Sequence, residues 1–180
     1  MRTKKTQTAN PDRPALKALK TAIAAEKKSL SSYLQFGLRT DDQGGKNMFI
    51  RLALDEFEHL NILERQARSL RESADWLRIE IEPSLPEMIV PRLDEKDLRI
   101  RGTRGQDQLA ALHSALALER RATDFYRAQA RAATDSKAQE MFQRLAAMEE
   151  AHYELIEAEI DSIRQTGFWF GLREFSLEIE

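Results

Sequence analysis

Two of the three histidines in this chain, His59 and His152, each follow a glutamate by three residues, Glu56 and Glu149. On a helix that spacing lets both side chains of a pair reach one point. Leu52, Glu56, His59 and Leu63 also fall at spacings of four, three and four, the stripe that a helix buries. A carboxylate and an imidazole on such a stripe need a compensating partner, because burying an unpaired ion costs on the order of several kcal/mol.

The same anomaly occurs twice. Residues 22–64 align without a gap on residues 115–157. Glu26 falls on Glu119, Tyr33 on Tyr126, Glu56 on Glu149 and His59 on His152, with matching flanks such as Met48/Met141, Phe49/Phe142, Arg51/Arg144 and Leu52/Leu145. Each repeat thus adds a lone glutamate to its Glu-x-x-His pair. No lysine or arginine stands on these stripes to neutralise four carboxylates. Two divalent cations would do so, and carboxylate and imidazole donors suit iron or manganese. The candidate ligands are Glu26, Glu56, His59, Glu119, Glu149 and His152. Tyr33 and Tyr126 follow the lone glutamates by seven residues, on the same face. They are either core aromatics or phenols that donate to a metal-bridging carboxylate of the opposite repeat. His113, whose counterpart is Lys20, is expected at the surface, and Glu58 and Glu150 are expected to be solvated.

These side chains need four helices to hold them. The first is expected from Asp12 and Pro14, an N-cap and early-turn pairing, to about Arg39. TDDQGG breaks the pattern, and a second helix runs from about Lys46 into the low seventies. A third spans about Asp107 to Ala133. After the turn TDS, with Asp135 as N-cap, a fourth runs to Gly167, a glycine suited to end it. In an antiparallel hairpin, residues equidistant from the turn lie at one height. Asp41 lies midway between Glu26 and Glu56, and Thr134 midway between Glu119 and Glu149, both in the turns. Each lone glutamate is therefore level with its Glu-x-x-His pair.

Between the repeats lies EIEPSLPEMIVPRLDEKDLRIRG, punctuated by proline and without helical period. At about 3.3 Å per extended residue, a dozen residues cross roughly 40 Å, so it can return the chain to the other end of a bundle. The expected architecture is all-α: one ferritin-like four-helix bundle over 12–167, built from hairpins 12–75 and 107–167 joined by a crossover, 76–106. Residues 1–11 are expected to be a flexible N-terminus. The aromatic tail 168–180 is expected to form a flap over the bundle or a subunit contact.

Composition narrows the partners. There is no cysteine, which rules out thiolate ligands and cysteine nucleophiles. A formal net charge of −2 gives no hint of nucleic acid. No apolar run approaches the roughly 18 residues of a membrane span, and no signal peptide is readable, so a cytoplasmic protein is expected.

The pattern E-x6-Y … E-x-x-H, given twice in LALDEFEHL and LAAMEEAHYEL, with ERRATDFY in the third helix, resembles the rubrerythrins of the ferritin-like superfamily. The resemblance spans residues 15 to about 162. It implies a non-haem site of two iron ions, with manganese or zinc as alternative occupants. Its ligands would be Glu26, Glu56, Glu119, Glu149 and His152, with His59 a permanent or a redox-dependent one. It implies peroxide reduction or ferrous oxidation with hydrogen peroxide or O2, in a homodimer. Two departures bear on this. The cysteines of a rubredoxin domain are missing, so electrons must come from an external donor. Ala122 stands where rubrerythrins keep a glutamate one turn after the third-helix ligand. That suggests a symmetric site, bridged by Glu56 and Glu149, with His59 bound in both oxidation states. Iron storage and a di-metal oxygenase acting on an organic substrate are the alternatives.

Overall fold

The computed structural model describes residues 12–78, 105–167 and 169. Four helices carry them: α1 (Asp12–Arg39), α2 (Gln43–Glu72), α3 (Gly105–Ala132) and α4 (Ser136–Thr166). α2 starts three residues before the expected Lys46 because Asp42 caps it, its carboxylate accepting the Gly45 N–H at 3.0 Å. That satisfies one of the donors a helix start leaves open. Asp135 does the same for α4, accepting from Lys137 at 2.8 Å and Ala138 at 3.2 Å. α4 stops where Gly167 turns left-handed, at φ 81°, and returns its N–H to the Ile163 carbonyl. The N-terminus 1–11, residues 79–104 of the crossover and the tail apart from Trp169 lie outside the described residues.

α1 packs along α2, α3 along α4, and the two hairpins also meet through α1 and α3. The described residues form an all-α, ferritin-like four-helix bundle. Its apolar interior is split in two. One cluster gathers Leu19, Leu63, Tyr126, Met141, Phe142 and Leu145. The other gathers Leu112, Ile156, Tyr33, Met48, Phe49 and Leu52. These are the same six repeat positions, exchanged between hairpins, so an approximate two-fold passes between the clusters. The layer it crosses holds the glutamates and histidines. Each large apolar side chain buried above and below that layer contributes about 1.5–3 kcal/mol. Together they hold the helices in register against the repulsion of the carboxylates.

The repeat continues past the helix ends. Ala74 and Gly167 are equivalent and both left-handed, at φ 55° and 81°. Two residues later, Trp76 folds back edge-on to Phe142, with ring centroids 6.1 Å apart, and Trp169 edge-on to Phe49 at 5.9 Å. Gln66 pins the first of these returns, donating to the Leu77 carbonyl at 2.7 Å and accepting its N–H at 3.0 Å. A Cβ added at Gly45 would stand 2.7 Å from the Trp169 indole, so glycine there makes room for the ring.

Candidate metal centre

Each helix brings one glutamate to the layer between the apolar clusters: Glu26 from α1, Glu56 from α2, Glu119 from α3 and Glu149 from α4. None is more than 2% exposed. His59 enters from α2 and His152 from α4, their rings 5.7 Å apart and nearly parallel. His59 turns Nδ1 inward, 2.9 Å from Glu149, 3.1 Å from Glu56 and 3.7 Å from Glu26. His152 also turns Nδ1 inward, 3.7 Å from Glu149, 3.8 Å from Glu119 and 4.0 Å from Glu56. Two donor sets result: Glu26, Glu56, His59 and Glu149, and Glu56, Glu119, Glu149 and His152, each with donor atoms within 4.8 Å of one another. Glu56 and Glu149 belong to both sets.

Two phenols tie the hairpins together across this layer. Tyr33 on α1 donates to Glu119 on α3, and Tyr126 on α3 donates to Glu26 on α1. Each phenol is backed by a stacked ring, Tyr33 by Phe49 and Tyr126 by Phe142. Those rings lie under Trp169 and Trp76, so the caps at the helix ends also steady the phenols. Burial, followed by the neighbouring carboxylates, pushes both tyrosines well above their ordinary pKa, so they stay protonated as donors.

The electrostatics of the layer show how costly four buried carboxylates are. Burial raises Glu119 to about 8, with Glu149 adding to the rise and His152 opposing it. Burial and the charge of Glu149 likewise raise Glu56 well above the carboxylate range. Burial alone would raise Glu149 too, but His59 and His152 overcome it and hold this carboxylate well below its ordinary value. In the histidines burial works downward. Glu149, Glu26 and Glu56 override it at His59, and Asp55, Glu119 and Glu149 at His152, so both imidazoles hold protons unusually well. Without cations, protons must therefore share the work of neutralisation.

Those protons leave the donor atoms poorly used. Glu56 Oε1, Glu149 Oε2 and Nδ1 of His152 are buried and make no hydrogen bond among the described residues, although they face one another, and Glu149 Oε1 has only the 2.9 Å contact with His59. Buried polar atoms seldom remain so. Lys46 is buried, but it stands ten residues before Glu56, roughly 15 Å along α2. Hard oxygen and imidazole donors, orphaned and converging, fit a pair of divalent cations.

All six candidate ligands and both tyrosines come together in this layer. His113 is exposed beside Arg164, 3.2 Å away. Glu150 is exposed and pairs with Arg127 at 2.6 Å, while Glu58 is half-buried. One participant is absent from the sequence reading. Asp55 on α2 places Oδ2 3.3 Å from Nε2 of His152, behind the ring. Its repeat counterpart is Met148, so a comparison seeking shared residues passes it over. Between α1 and α3 a cavity of about 280 Å³ reaches Glu26 and Tyr126, walled by Ala25, Leu118, Ala122 and Phe125.

Four helices that converge a buried carboxylate and histidine cluster at their mid-height define the ferritin-like type of metal-binding bundle. Comparison with family models assigns residues 17–160 to rubrerythrin, and the chain belongs to the rubrerythrin family. A hypothetical protein from Pyrococcus furiosus, of solved structure, is similar in fold. It is 21% identical, with a TM-score of 0.64 over 86% of this chain and 93% of that one. No curated protein matches the chain. Among the described residues no helix is long and apolar enough to cross a membrane.

Proposed function

We propose that this chain is a non-haem di-iron oxidoreductase that reduces hydrogen peroxide or oxidises ferrous iron with O2. It would act in the cytoplasm as a homodimer, with electrons from an external donor. The observation that carries the proposal is the convergence of six buried donors in two sets that share Glu56 and Glu149. Iron, when bound, would supply the electrons and the Lewis acidity for cleaving an O–O bond. The chain supplies the rest. Glu56 and Glu149 would keep the two positions close, and Glu26 and Glu119 would close the two ends. Tyr126 and Tyr33 fix the orientation of those end carboxylates from the opposite hairpin. The apolar clusters shield the layer, and His152, at 8% exposure, is its most accessible member.

Anaerobic reconstitution with ferrous iron, metal analysis and stopped-flow mixing with peroxide or O2 test the reading. Two irons per chain, oxidised faster by peroxide, are expected of a peroxidase. Two irons oxidised faster by O2 would favour the ferroxidase arm, and uptake that continues far beyond two with O2 would indicate storage instead. No bound iron would sink the proposal. The cavity at Glu26 supports a second reading, a di-metal oxygenase acting on a small apolar substrate held between Leu118 and Phe125.

A further inference from the structure

The approximate two-fold relates all six candidate ligands and both tyrosines, but it fails one position before the bridging glutamates. α2 has Asp55 there and α4 has Met148. The consequence appears on the outer nitrogens of the two histidines. Nε2 of His152 faces Asp55 Oδ2 at 3.3 Å, while Asp55 Oδ1 lies 3.7 Å from Nε of Arg51. Nε2 of His59 is buried and has no hydrogen-bond partner among the described residues. Methionine at the equivalent position offers only a weak thioether acceptor.

We infer that Asp55 makes the two cation positions unequal, so that the one formed by Glu119 and His152 fills first and holds its ion more tightly than the one formed by Glu26 and His59. The inference rests on the two-metal reading and adds an order to it. An imidazole that binds a cation through Nδ1 must carry its proton on Nε2. A carboxylate accepting that proton selects the tautomer, fixes the ring and makes the inward nitrogen a better donor. His152 has such an acceptor from the opposite hairpin. For His59 to ligate through Nδ1, it must leave an N–H buried without an acceptor among the described residues, which opposes binding. Asp55 is therefore a positioning residue. It touches the ligand and not the cation.

Titration of metal-free protein with Co(II) under anaerobic conditions tests this, with the visible absorption of the bound ion as readout. Two uptake steps are expected, the first at least about tenfold tighter, in line with the roughly 10- to 100-fold effect of such partners on metal affinity. His152→Ala should remove the tight step and His59→Ala the weak one. Asp55→Ala should weaken the tight step by about 10- to 100-fold and bring the two together. Asp55→Asn, whose amide oxygen can still accept from Nε2, should restore part of the difference. Met148→Asp should tighten the second step, so a poorly folded Asp55 variant does not decide the matter alone. Equal steps in the wild type, or a tight step indifferent to Asp55→Ala, would overturn the inference and leave the two-metal reading standing. No Co(II) uptake by the wild type would overturn both.

Discussion

Tyr33 and Tyr126 each reach from one hairpin to the lone glutamate of the other, and the seven-residue spacing only half reveals this. It places each phenol on the face of its own glutamate. The partner across the bundle becomes visible only when the hairpins are docked. The rings are core aromatics and the hydroxyls are donors at once, but they donate to the lone glutamates Glu119 and Glu26 and not to Glu56 or Glu149, the carboxylates expected to bridge. Tyr126→Phe keeps the stack on Phe142 but removes the donor to Glu26. We expect about tenfold weaker binding at the position that Glu26 serves. We also expect a loss of about 1–3 kcal/mol in the metal-free protein, because a buried carboxylate oxygen loses its partner. Co(II) titration and thermal melting measure the two effects separately. Unchanged values in both would mean that the phenol only fills space. Asp55 was less legible than the tyrosines. Its contact crosses between hairpins, and the duplication that exposed the other residues concealed it.

Helix α4 could be read closely because the caps Asp135 and Gly167 mark its ends, whereas the start of α2 was placed three residues late because its cap, Asp42, sits inside the turn TDDQGG. The segments after these two helices resisted such reading. WLR and WFG carry no period, and only the folded bundle shows that both tryptophans return to equivalent phenylalanines. The turns that send them back are not equally suited to the task. Gly167 adopts φ 81° at no steric cost, whereas Ala74 holds φ 55° with a Cβ. A non-glycine residue in this region costs about 1–2 kcal/mol. Part of any gain from glycine is lost to its greater freedom in the unfolded chain. Ala74→Gly is therefore expected to raise stability by up to about 1 kcal/mol. Gly167→Ala should lower it by about the same amount. A Cβ there would meet nothing within 4 Å, so the loss would be conformational alone. Denaturant unfolding of the two variants gives the comparison, and equal effects of the same sign would refute this account of the turns.

At the scale of the whole molecule, the gapless duplication made both the hairpins and the layer between them legible, since one alignment fixed which residues share a height. The net charge of the layer was not legible, because it depends on how protons settle among groups that only folding brings together. That settlement leads to a prediction about pH. In the metal-free protein Glu119 is raised from 4.5 to about 8, and Glu56, His59 and His152 are raised as well. A group raised by folding binds protons more tightly in the native state. Its stabilisation is complete below the unfolded pKa and is lost as pH rises through the folded one. Metal-free protein should therefore melt at a higher temperature near pH 5.5 than near pH 8. Glu149 is lowered, and its contribution disappears only in acid below about 4.5, outside this window. Cations change the balance by neutralising the carboxylates directly. They bind the native state alone and add about 2.7 kcal/mol when present at a hundred times their dissociation constant. They also compete with the protons, so they bind better as pH rises. The gap in melting temperature between metal-loaded and metal-free protein should therefore widen from pH 5.5 to pH 8. Melting curves of both forms at the two pH values decide it. A constant gap, or metal-free protein that grows more stable toward pH 8, would show that protons do not hold this layer together when metal is removed.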